Sequence, residues 1–149
     1  MSTILLLLLA FACVLLEIAF APGATVFGGR AQLSLVVIAL WSVLRPADEA
    51  MLLAPAAGLL LGLLGNEPLG LSVLAFAPVV ALGMLNEERS IERRFVLTLG
   101  LVALGTFVYA VADLTIFRLA GRTIPVAFST LQAVLVVTIL NLVLAAVLY

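Results

Sequence analysis

The 149-residue chain has no lysine and no histidine, and a single cysteine, Cys13. Without histidine it lacks the commonest general base and metal ligand. With one cysteine it has no internal disulfide. That cysteine lies inside an apolar run, where it reads as a packed or lipid-facing thiol. Charge of either sign is scarce: 10% of residues are charged, seven Arg against eight acids, for a net charge of −1. A soluble domain carries about 25% charged residues, so this chain has too little to cover a water-facing surface. The balance also excludes a polybasic reader of nucleic acid or lipid headgroups. No spacing suggests a metal site, a nucleophile with its base, or a phosphate loop. The chain is therefore expected to be no enzyme and to need no cofactor.

What is present is hydrophobic: 66% of residues, with a mean hydropathy of +1.39. Lipid is the solvent this composition suits. The expected fold is an all-α polytopic membrane protein, a single domain over 1–149 with about six transmembrane helices in a compact bundle, since about 20 residues cross a bilayer. The charges and helix breakers divide the chain into spans of about 3–20, 32–44, 49–64, 69–85, 95–117 and 125–148. The first run imitates a secretory signal at Ala19-Phe20-Ala21. It has no basic residue before it, and Pro22 would follow the cut, so it reads as a retained span. The second run is too short to cross hydrocarbon alone. It is either embedded in protein or begins earlier, with Arg30 snorkelling outward. Asp48 is the expected N-cap of the third span. Pro55 is expected to kink the third span or to start a shorter half-helix there. With Pro78 inside the fourth span, it suggests either curved helices around a cavity or groove, or only the ordinary frequency of proline in membrane helices. With six spans, Arg45, Arg89, Arg93 and Arg94 fall on one side and Arg30, Arg118 and Arg122 on the other. That bias places both termini in the cytoplasm.

Two groups of residues are candidates for function. Ala50, Ala54, Gly58 and Gly62 recur every fourth residue, so they form a small-residue stripe that another helix backbone can approach. The approaching helix belongs either to this chain or to a partner. After the stripe comes a corner, Gly65, Asn66, Glu67, Pro68 and Gly70. Gly65 is expected to end one helix in the left-handed conformation and Pro68 to open the next. The second group is polar. Glu17 and Asp113 are the only acids well inside spans, both near the end on the side of Arg30, Arg118 and Arg122. With Tyr109 one turn before Asp113, and Asn141 in the last span, they are expected to form an intramembrane polar cluster. Asn141 and Gln132 read as interhelical hydrogen-bonding groups. The alternative for the two acids is carriage of protons or cations.

The run Gly28–Leu85 resembles the MreD family, rod-shape-determining membrane proteins of bacteria. The likeness rests on Phe27-Gly-Gly-Arg30 before a short apolar span, on the acidic corner Asp48-Glu49, and on GLLLGLLGNEPLGLS from Gly58. Gly83-Met84-Leu85 before a charged loop, and Asn141 in the final span, agree with it. The resemblance implies six helices around a groove, similar to the substrate-binding subunits of vitamin (energy-coupling factor) transporters. It implies a non-enzymatic scaffold of the bacterial inner membrane that regulates cell shape and peptidoglycan elongation. Its partners would be the transmembrane helix of an MreC-like single-span protein, the elongation glycosyltransferase and transpeptidase pair, and the lipid bilayer, with no nucleic acid. The alternative on the same fold is a small-molecule-binding subunit of a vitamin-type transporter.

Overall fold

The apolar runs fold as helices because in lipid a backbone must satisfy its own hydrogen bonds. The computed structural model describes residues 3–20, 25–26, 29–65, 70–85, 90–119 and 128–149. Among these there are six α-helices: α1 (Thr3–Phe20), α2 (Leu33–Leu44), α3 (Ala47–Leu64), α4 (Leu71–Met84), α5 (Ile91–Leu119) and α6 (Phe128–Leu148). Between α1 and α2 two short strands, β1 (Thr25–Val26) and β2 (Gly29–Arg30), pair antiparallel, with Thr25 opposite Arg30. Among the described residues three stretches, Ala47–Leu64, Ile91–Ile116 and Thr130–Leu148, are long and apolar enough to cross a membrane, as a membrane protein requires. The shorter apolar helices are Thr3–Ala19, Leu33–Leu44 and Leu71–Met84.

The short second helix is the centre of the molecule. It packs against each of the other five helices, while α1, α3, α4, α5 and α6 pack in that order as an arc around it. Its residues are buried on nearly all sides: Leu35, Val36, Ile38 and Ala39 are at most 1% exposed. A helix apolar all round is suited to such a position. Its 12 residues rise only about 18 Å, well short of the hydrocarbon thickness. Of the two expectations for this run, the structure shows the short helix embedded in protein. The outer helices bury one side each. In α1, Leu6, Ala10, Val14 and Glu17 face inward, while Ile4, Leu8, Phe11 and Leu15 are exposed. In α6, Leu131, Leu135, Ile139, Val143 and Val147 form an exposed apolar line at every fourth residue, a surface that lipid can cover.

Glycines set the closest helix crossings. A Cβ on Gly58 would lie 2.7–2.9 Å from Val73, including its backbone N and Cα, so α3 meets the backbone of α4 there. A Cβ on Gly83 would collide with Ser42 of α2. At Gly105 of α5 it would meet Val79 of α4 and Leu35 of α2. Both internal prolines are accommodated, with α3 continuous through Pro55 and α4 through Pro78.

Three local expectations are corrected. Gly65 is extended (φ −93°, ψ 177°) rather than left-handed, and closes α3 with its N–H on the Leu61 carbonyl. The left-handed residue is Gly70, at φ 90°, immediately before α4. The N-cap of α3 is Pro46, which leaves Asp48 and Glu49 in the first turn. Acids there still meet the positive end of the helix dipole. Asn66, Glu67 and Pro68 lie outside the described residues. Helix α5 also starts earlier than expected, at Ile91 within the charged segment.

Candidate functional site

A helix leaves its first backbone N–H groups without intrahelical partners. The N-cap of α2 is Gln32, whose side chain makes no capping hydrogen bond. The N–H groups are met instead by side chains from both ends of the helical arc. Glu17 of α1 accepts a hydrogen bond from the Ser34 N–H at Oε2 (2.8 Å). Asn141 of α6 accepts one from the Gln32 N–H at Oδ1 (2.8 Å). Asn141 then donates through Nδ2 to the Thr106 hydroxyl of α5 (2.9 Å). Thr106 donates in turn to the Val102 carbonyl one turn back (2.8 Å).

This network lies inside the bundle. Glu17 is 5% exposed, Thr106 2% and Asn141 0%. Thr106 is near the middle of α5, the longest helix, so the start of α2 is level with the middle of its neighbour. Sequence places Glu17 there because it shares the inward line of α1 with Leu6, Ala10 and Val14. The carboxylate at the positive end of a helix is a favourable placement. A broken crossing that presents a helix N-terminus inside a bundle is how membrane proteins meet anionic groups, and here the chain supplies the anion itself.

The expected polar cluster is thus brought together in part. Glu17 and Asn141 converge on residues 32–34. Tyr109 and Asp113 are half-buried on α5, three and seven residues beyond Thr106 and so along the same helix line. Arg118 is exposed in the last turn of α5. Of Arg30 the backbone is described, in β2, which packs against α6; Arg122 lies outside the described residues. Gln32, Ser34 and Thr106 are the members that sequence reasoning passed over. Their signal was faint: a Gln and a Ser flanking the start of a short apolar run.

The small-residue stripe has a different neighbour. Ala50, Ala54 and Gly58 are buried and Gly62 is half-buried, and at Gly58 the space is filled by α4 of the same chain. At the opposite end of α2, Trp41 donates its indole N–H to Glu49 of α3 (3.1 Å). The Arg45 guanidinium lies 5.4 Å from the Trp41 ring centroid, within cation–π range. This corner ties α2 to α3. The chain end is fastened similarly: Tyr149 stacks edge-on against Phe95 (5.0 Å) and donates its hydroxyl to the Ile91 carbonyl (3.1 Å).

Among the described residues no group of three His, Cys, Asp or Glu side chains could hold a metal ion. Comparison with protein-family models, with curated proteins and with solved structures gave no match to this chain.

Proposed function

We propose that the protein is a non-enzymatic scaffold of the bacterial inner membrane, acting in cell-shape maintenance and peptidoglycan elongation by binding the transmembrane helix of an MreC-like single-span partner. The observation that carries this reading is the half-buried line of the central helix. Leu33, Val37 and Trp41 are half-buried, while the residues between them are buried. Spaced by four, they share one face. The arc around α2 has α1 and α6 as its ends, and these two make no contact comparable to those along the arc. The gap between them is where a foreign helix would lie against α2. Packing and a few hydrogen bonds supply affinity in such a groove, because burial from water no longer drives association in lipid. In this reading all six helices are membrane-embedded and both termini are cytoplasmic.

The resemblance at GLLLGLLGNEPLGLS supports the cell-wall assignment, and the half-buried line of α2 supports the mode of binding. The test is a paired substitution. Val37→Trp fills the line, and Leu135→Trp changes the exposed face of α6 by the same chemistry. Loss of a co-purifying single-span protein with Val37→Trp alone is the expected result. Equal retention by both variants would sink the groove as the partner site.

The convergence of Glu17, Gln32, Ser34 and Asn141 on one helix start favours a second reading, a small-molecule-binding subunit of a vitamin-type transporter. Recovery of ATPase subunits with the detergent-solubilised protein would support it over the scaffold.

A further inference from the structure

We propose that the N-terminal turn of α2 is an internal hydration site, with ordered water held on Gln32 and Ser34 inside the bundle. Two buried oxygens there have no hydrogen-bond partner among the described residues, Gln32 Oε1 and Ser34 Oγ. Gln32 is 8% exposed and Ser34 1%, so bulk solvent does not reach them freely. They sit two residues apart, on the same two residues whose N–H groups are held by Asn141 and Glu17. The Gln32 and Ser34 N–H groups are thus engaged while their side-chain oxygens are not. Buried polar atoms in native proteins are nearly all paired, with protein or with ordered water.

The chemistry of the site selects the ligand. Gln32 Oε1 only accepts, and Ser34 Oγ accepts and donates. An anion is disfavoured because the Glu17 carboxylate already occupies the helix end. A metal ion is disfavoured because that end carries the positive partial charge of the helix. Water offers two donors and two acceptors, and internal waters make about three hydrogen bonds each. Residues 25–26 and 29–30 are extended rather than helical, and non-helical backbone at membrane depth is tolerated where protein buries it or water lines it. Beyond the site the interior is sealed by Leu35, Val79 and Val102, each 0% exposed.

Water-edited solid-state NMR on the full-length protein in bilayers tests this directly. Magnetisation from water is expected to reach the Ser34 and Gln32 side chains severalfold faster than Val79 and Val102, whose burial Ser34 matches to within 1%. Build-up at Ser34 and Gln32 as slow as at the two valines would overturn the proposal. Repeating the measurement in sodium, potassium and choline chloride separates water from a bound cation. Unchanged signals support water, whereas shifts at Ser34 and Gln32 in one alkali salt alone would overturn it. The wild-type protein suffices, so the result does not depend on a variant that folds.

Discussion

Glu17 caps a helix to which it does not belong. Its carboxylate on the Ser34 N–H joins α1 to the start of α2 at a position the sequence of α2 leaves uncapped. Hydrogen bonds to a charged group contribute about 1.5–3 kcal/mol. Glu17→Ala is therefore expected to destabilise the protein by about that amount. Glu17→Gln keeps an acceptor for the Ser34 N–H and loses the charge–dipole part, about 0.3–1 kcal/mol. Unfolding in detergent measures both. Equal losses for the two variants would show that the hydrogen bond itself does not matter.

Asn141 and Thr106 should be energetically coupled. Asn141→Leu frees the Gln32 N–H and Thr106→Val removes the acceptor of the Asn141 amide. A double-mutant cycle is expected to give about 0.6–1.7 kcal/mol of coupling, the range for interhelical hydrogen bonds in membranes. Strict additivity would mean that the 2.9 Å contact contributes nothing to stability.

Gly58→Ala should be costly although it adds one methyl group. The nearest atoms include the backbone N and Cα of Val73, so a side-chain rotation cannot relieve the overlap. Overpacking of this kind costs about 1–3 kcal/mol. Val73→Ala is expected not to rescue it, because the backbone obstacle remains. Full rescue would place the obstruction in the Val73 side chain.

Gly70→Ala tests the turn before α4. Nothing lies within 4 Å of a Cβ placed there, so the whole effect is conformational, from φ 90°. The expected loss is about 1–2 kcal/mol, and Gly70→Asn should lose less, since Asn tolerates this region. Gly65, in extended backbone, should accept Ala with a smaller change than Gly70. A reversed order would contradict the conformations described for this corner.

Much of the fold was legible because lipid imposes a simple rule: apolar runs become helices and charged segments separate them. The start of α2 was predicted to within one residue, and its two fates, embedded or snorkelling, were both visible in its length. Glu17 and Asn141 stood out because a polar group in an apolar run demands a partner. Which partner was not legible. A cap supplied from residues 17 and 141 to residues 32–34 leaves no local pattern, since nothing in the sequence near Gln32 registers what arrives from elsewhere. The corner misled for a related reason. Two glycines, Gly65 and Gly70, each could have taken the left-handed conformation, and the path of the chain chose the later one. The stripe of α3 was visible as small residues, while the glycines at 83 and 105 were single and carried no repeat.

The position of α2 also bears on the order in which the protein can be assembled. Its centre is made early, and one of its two caps, Asn141, is made 109 residues after Gln32. A chain halted before Phe128 has the central helix but lacks the side chain that meets the Gln32 N–H. The centre of this bundle is thus closed only when α6 arrives, and until then it carries an open donor at its middle.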